Sequence, residues 1–154
     1  MTLSVSRAIF TAKQGGDMER RLKIFAVDDD SGILALLRGL LEDSFDYFGT
    51  TDPEEAKWHF IEHHDVDVFL VDMMLGHKIE IAMRLVYDLR RAGFQGFIVI
   101  LSACPPESNG WQLLLRVGAN DMLEKCSDIG KNLSLTLEKA KNFNRNIYPP
   151  EQIC

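Results

Sequence analysis

Acidic residues cluster at 28–30, and a further carboxylate, Asp72, directly follows the apolar run 68–71. Ser102 and Lys125 occupy comparable positions after two later apolar runs. Carboxylates that lie close together repel one another, and Mg²⁺, which prefers oxygen ligands, relieves that repulsion. A hydroxyl and an ammonium beside such a metal suit the oxygens of a transferred phosphoryl group. A carboxylate in the middle of the group can then act as the nucleophile.

The remaining sequence predicts the elements that would position these residues. Five short apolar runs, each bounded by polar residues, predict strands of a parallel sheet, at 22–27, 45–50, 66–72, 97–101 and 120–125. Apolar residues at helical spacing predict helices between and after them, at 33–41, 53–63, 80–91, 111–117 and 133–140. This alternation predicts an α/β fold whose strands end at one edge, where ligands usually bind. We therefore expect the polar strand ends to meet there.

The order of these residues resembles the receiver domain of two-component response regulators, over about residues 22–145. In that family an acidic pair follows the first strand and the phosphoacceptor Asp ends the third. A Ser or Thr ends the fourth strand, and a Lys ends the fifth. The resemblance implies a doubly wound parallel sheet of five strands in the flavodoxin-like order 2-1-3-4-5, with helices on both faces.

The resemblance also implies the roles of single residues. Asp72 would accept the phosphoryl group, and Asp29 and Asp72 would ligate Mg²⁺ directly. Asp28 would act on the metal through water, and the backbone carbonyl of Met74 would be the remaining protein ligand. Two further residues would complete the site: Lys125 would pair with a phosphoryl oxygen, and Ser102 would follow that oxygen as the switch residue.

The chain departs from the family pattern at four places. Leu75 and Gly76 replace the usual Met-Pro, and Glu80 replaces the later Gly. The aromatic switch residue of the last strand is Met122, and the Pro after the active-site Lys is Cys126. We expect the phosphoryl chemistry to be retained and the switch at Met122 to be shallower.

Length and composition predict one domain, with an extension at 1–17, the receiver domain at 18–148 and a tail at 149–154. The net charge of −6 disfavours a nucleic-acid partner, and no apolar stretch is long enough for a membrane helix. The cysteines are odd in number and widely spaced, which predicts free thiols in a cytoplasmic protein. We expect output through binding by the face of the fourth helix, last strand and last helix.

The expected partners are a histidine kinase or phosphotransfer protein and a downstream protein, and a homodimer remains open. The chain would not be an enzyme beyond its own phosphorylation and dephosphorylation. One alternative is a pseudo-receiver that only binds partners. Another is a small phosphatase of the haloacid-dehalogenase type, with Asp28 as its nucleophile. His59, His63 and His64, on or just after the second helix, are interpreted as solvated surface residues.

Overall fold

The computed structural model describes residues 20–103 and 108–147. The strands are β1 (Lys23–Val27), β2 (Asp46–Thr50), β3 (Val68–Asp72), β4 (Phe97–Ser102) and β5 (Asp121–Glu124). The helices are α1 (Ser31–Leu41), α2 (Pro53–His63), α3 (Ile79–Arg91), α4 (Ser108–Val117) and α5 (Ile129–Ile147), with a short 3₁₀ turn at Leu75–His77. Each strand is followed by a helix, as the sequence predicted.

The five strands form one parallel sheet in the order β2-β1-β3-β4-β5. This order confirms the predicted fold class. Helices α2, α3 and α4 cover one face through an apolar core that includes Phe60, Leu85 and Leu114. Helices α1 and α5 cover the other face through a second core that includes Leu37 and Leu137. Because both faces are buried, the central strands β3 and β4 are nearly continuous apolar runs.

Aspartate side chains begin two of the helices and thereby fix the loops that precede them. Asp30 is the N-cap of α1 and accepts a hydrogen bond from the Gly32 backbone N–H at 2.8 Å. Asp52 is the N-cap of α2 and accepts one from the Glu54 N–H at 3.0 Å. N-caps of this kind satisfy backbone donors that have no partner inside the helix. Asp30 is thus committed to capping α1.

A partly buried arginine ties together the edge of the sheet where the strands begin, which we call the amino edge. Arg90 donates to the carbonyls of Gly118 at 2.8 and 3.1 Å and of Phe94 and Gly96 at 2.9 Å each. It also donates to Asn120 Oδ1 at 2.8 Å, and that oxygen accepts the N–H of Ile98 as well. One guanidinium therefore joins the end of α3 to the loops before β4 and β5.

A second polar group at the amino edge is equally well satisfied. The Asp67 carboxylate accepts from the Lys23 backbone N–H at 2.8 Å and from two nitrogens of Arg20 at 2.7 and 3.0 Å. The Asp67 backbone carbonyl also accepts the N–H of Phe97, so this residue joins β1 to the start of β4. Asp67 thus acts as a structural link between strands.

Several sequence predictions differ from the structure in detail. Helix α4 begins at Ser108, three residues before the predicted start, and the predicted extension, the tail and Cys104 lie outside the described residues. The prediction of free thiols was wrong for Cys126, which is disulfide-bonded. Neither the number nor the spacing of the cysteines indicated this bond. In the described parts of the chain, no helix is both long and apolar enough to cross a membrane.

Candidate functional site

Three aspartates meet at the opposite edge of the sheet, which we call the carboxyl edge. Asp28 and Asp29 follow β1, Asp72 ends β3, and one carboxylate oxygen of each lies within 4.8 Å of the others. Asp28 is fully buried, Asp72 is 5% exposed, and Asp29 is exposed. This is an oxygen-rich group with one side open to solvent, which suits a hard divalent cation.

Lys125 is positioned directly after β5 and reaches into the aspartate cluster. Its backbone N–H donates to the Ser102 carbonyl at 2.8 Å, which extends the pairing of β4 and β5 by one residue. Its Nζ lies 2.7 Å from Asp28 Oδ2 and 3.0 Å from Asp72 Oδ1. The ammonium therefore bridges two of the three carboxylates.

The Asp28 carboxylate tests whether the residues present fit a metal ion. Its Oδ1 accepts the Asp30 backbone N–H at 2.9 Å. Its Oδ2 is buried and lies 2.7 Å from Lys125 Nζ, so the ammonium is its charged partner. Three carboxylates beside one ammonium leave an excess of negative charge, which a hydrated cation would neutralise. The donor set therefore fits Mg²⁺.

The pKa values of two of the aspartates indicate that negative charge is crowded in this cluster. Burial raises the pKa of Asp72 to about 6, the repulsion from Asp28 adds to this, and the hydrogen bond from Lys125 opposes it. Burial also raises the pKa of Asp29, but hydrogen bonds with Asp72 and the Gly76 backbone outweigh it, so that pKa is lowered overall. A divalent cation would relieve the same excess of charge that a proton on Asp72 relieves.

The loop after β3 bends tightly over the site. Gly76 and His77 both have left-handed backbone angles, with φ of +58° and +62°. The Met74 carbonyl, the predicted metal ligand, accepts the His77 N–H at 2.9 Å, and the Met74 N–H donates to Asp72 Oδ1 at 3.3 Å. A carbonyl oxygen has two lone pairs, so this hydrogen bond leaves one available. The one signal of this turn in the sequence is Gly76 before His77, since glycine readily adopts positive φ.

The predicted switch residues lie on β4 and β5. Ser102 is fully buried, and its Oγ donates to the Ala103 carbonyl at 3.2 Å. Met122 is partly buried, and it pairs with Ile100 in the sheet. The Ser102 hydroxyl thus lies at the carboxyl edge. Rotation of its side chain would break the hydrogen bond to the Ala103 carbonyl.

Comparisons with known proteins place this fold in a family. The model of the response regulator receiver domain matches residues 24–135. A response regulator receiver domain protein from Clostridium thermocellum is 23% identical, with a TM-score of 0.72 over 82% of this chain and 98% of that one. The chemotaxis protein CheY4 from Vibrio cholerae is 22% identical, with a TM-score of 0.65 over 79% of this chain and 99% of that one.

A larger protein contains the same fold. NtrX from Brucella abortus, in a complex with ADP, is 17% identical, with a TM-score of 0.68 over 83% of this chain but only 28% of that one. No curated protein matches the chain. At these identities the solved structures show the fold, while the family model covers most of the chain. The chain belongs to the family of response regulator receiver domains, which are signalling modules of two-component systems.

Proposed function

We propose that this receiver domain accepts a phosphoryl group onto Asp72 from a histidine kinase or phosphotransfer protein, in a reaction that requires Mg²⁺. The observation that carries the proposal is the group of three aspartates, one oxygen of each lying within 4.8 Å of the others, with Lys125 bridging Asp28 and Asp72. This arrangement provides a nucleophile, a metal site and a fixed positive charge at one place. The phosphorylated state would then be read by a downstream protein.

Each residue of the cluster has a distinct part in this reaction. Asp29, Asp72 and the Met74 carbonyl would hold Mg²⁺ directly, and Asp28 would hold it through water. When bound, the metal supplies positive charge opposite the phosphoryl oxygens. An ionised oxygen of Asp72 forms the bond to phosphorus while the bond from phosphorus to the donor histidine breaks, and the leaving imidazole keeps that electron pair. With a pKa of about 6, Asp72 is largely ionised at neutral pH.

Lys125 and Ser102 would respond to the new group. The Lys125 ammonium lies between two carboxylates and can move to a phosphoryl oxygen without leaving negative surroundings. The Ser102 hydroxyl would exchange the Ala103 carbonyl for another phosphoryl oxygen. Met122 would fill the space that Ser102 leaves, from several rotamers because its side chain is unbranched. We therefore expect coupling at the low end of the usual range of about 1–3 kcal/mol.

The output surface that we propose is formed by α4, β5 and α5. Leu113 and Leu115 on α4 and Leu135 on α5 are 39%, 42% and 58% exposed. Exposed leucines on elements that neighbour the switch strands β4 and β5 are suited to contact with a protein partner. We also propose 18–148 as the limits of the domain, in keeping with the family match at 24–135.

The experiment that tests the proposal is labelling with a small phosphodonor in the presence of Mg²⁺, followed by mapping of any acid-labile adduct. We expect one adduct at Asp72, which Asp72→Asn abolishes because the amide is not a nucleophile. Asp30→Asn is the matched control, since Asp30 caps α1 and Asn is an equally good cap. Asp29→Ala should weaken Mg²⁺ binding. Undiminished labelling of the Asp72→Asn protein would rule the assignment out.

Two other candidates predict different outcomes of this experiment. A phosphatase of the haloacid-dehalogenase type would carry the adduct on Asp28, but the full burial of Asp28 and its contact with Lys125 disfavour attack from that residue. A pseudo-receiver would carry no adduct. The methionine at Met122 and the disulfide-bonded Cys126 directly after Lys125 are the two features that favour it.

A further inference from the structure

We propose that His59, His63 and Asp65 form a second metal site, which binds Zn²⁺ and is independent of the aspartate cluster. His59 and His63 lie one helical turn apart on α2, and Asp65 follows directly after the helix. The first two side chains lie next to each other, with ring centroids 4.8 Å apart. Two histidines at this spacing on one helix are a recurring zinc-binding arrangement.

The contact between His59 and Asp65 has the geometry of two ligands of one ion. His59 Nε2 and Asp65 Oδ1 are 3.2 Å apart, yet both atoms are buried and neither has a hydrogen-bond partner. Zinc binds imidazole nitrogen and carboxylate oxygen at about 2.0–2.1 Å in a tetrahedral arrangement, so two such ligand atoms lie about 3.3 Å apart. The observed separation matches this value. A shared ion would satisfy both atoms at once.

The surroundings hold these two ligands in place. The His59 ring packs against Phe25 and Phe48, with centroid distances of 4.9 and 5.5 Å. Lys23 Nζ binds the other oxygen of Asp65 at 3.1 Å, which orients the carboxylate and leaves Oδ1 directed at His59. Groups that fix the orientation of a ligand in this way typically support metal binding.

The third ligand, His63, has to reorient before it can bind. Its Nε2 lies 3.9 Å from Glu62 Oε2, and its side chain is 55% exposed, which leaves it room to turn a ring nitrogen toward the other two. Two imidazoles and one carboxylate leave the fourth zinc position to water or to a ligand from another molecule. The site lies at the C-terminal end of α2, beside the amino edge, whereas Asp72 lies at the carboxyl edge. Zinc bound there would leave the phosphoryl site at Asp72 free.

The test is calorimetric titration of the full chain with Zn²⁺ in excess Mg²⁺, which occupies the aspartate cluster. We expect one site whose affinity falls at least tenfold in His63→Ala and in His59→Gln. His63→Ala is the more informative variant because the exposed side chain can be removed without harm to the fold. His64→Ala is the matched control. The His64 ring packs against Phe60, with centroids 5.1 Å apart, and is not a proposed ligand, so this variant should bind zinc as the parent does.

A second measurement identifies the ligands directly and separates them from cysteine thiols. Substoichiometric Zn²⁺, added in excess Mg²⁺, should shift the ring nitrogen signals of His59 and His63 in the NMR spectrum and leave those of His64 and His77 unchanged. If His59 and Asp65 form only an ion pair, Zn²⁺ will leave the His59 and His63 signals unchanged. That result, or equal zinc affinity in the parent and His63→Ala, would overturn the proposal and would leave phosphorylation at Asp72 untouched.

Discussion

The two edges of the sheet use charged side chains in opposite ways. At the amino edge, Arg90 makes five hydrogen bonds to neutral oxygens, and Asp67 accepts three from N–H groups. At the carboxyl edge, three carboxylates lie together, and the one ammonium beside them contacts two of the three. The charges of the first arrangement are satisfied within the chain. The second has more carboxylates than cations.

The difference distinguishes charge that stabilises the fold from charge that, in the function we propose, is neutralised by a ligand. A satisfied buried network rigidifies its surroundings, whereas an incomplete one stores unfavourable free energy. Ligand binding can release that free energy, and a change of conformation can follow from it. The amino edge should therefore be sensitive to truncation, and the carboxyl edge should gain stability when its charge is reduced.

The largest effect should come from Arg90→Ala, which leaves the carbonyls of Phe94, Gly96 and Gly118 without this donor. We expect the free energy of unfolding to fall by about 4 kcal/mol, since each unsatisfied buried group costs about 1–3 kcal/mol. Urea denaturation measures the change. Arg91→Ala is the matched control, because the exposed Arg91 reaches only the Tyr87 hydroxyl. A loss as small as that of the control would contradict the structural role of Arg90.

A smaller effect of opposite sign is expected for Asp72→Asn in metal-free protein. The pKa of Asp72 is about 6 in the folded state, above its unfolded value of about 3.9, so the folded protein binds this proton more tightly. The ionised group therefore destabilises the fold above pH 6, and this penalty is lost as the pH falls toward 4. Allowing for partial contact with solvent, the variant should be more stable than the parent by about 2 kcal/mol at pH 8.

Urea denaturation of both proteins at pH 8 and at about pH 4 measures this difference, which should vanish at the lower pH. Adding Mg²⁺ at pH 8 should raise the stability of the parent and reduce the advantage of the variant. An Asp72→Asn protein that is less stable than the parent at pH 8 would show that Lys125 already neutralises the cluster.

The smallest effect compares two left-handed histidines, His77 at the carboxyl edge and His64 at the C-cap of α2. Glycine relieves the backbone strain at either position, and its larger unfolded-state entropy cancels part of the gain. We expect each substitution to glycine to stabilise the fold by about 0.5 kcal/mol. His77→Gly should also weaken Mg²⁺ binding, because the loop that carries Met74 becomes less rigid. Equal Mg²⁺ affinity in the two variants would show that the rigidity of this loop does not affect metal binding.

The sequence was sufficient for the sheet and for the residues at its carboxyl edge. Apolar runs such as Val68–Asp72 have a side-chain pattern that predicts buried parallel strands, and their polar ends necessarily converge. The role of Arg90 could not be predicted, because most of its partners are backbone carbonyls, which have no signature in the sequence. The interpretation of His59 as a solvated residue was wrong. Its contacts with Phe25 and Phe48 depend on the packing of α2 against β1 and β2, which the sequence does not encode locally.

The hydrogen bonds of Arg90 also bear on the order in which the chain folds. Three of the five join α3 to Gly118 and Asn120, which are 28 and 30 residues further along the chain, so these three form only after the loop before β5 has reached α3. Interactions that form after the rate-limiting step slow unfolding and leave the rate of folding nearly unchanged. We therefore expect Arg90 to prolong the lifetime of the native state rather than to speed its formation.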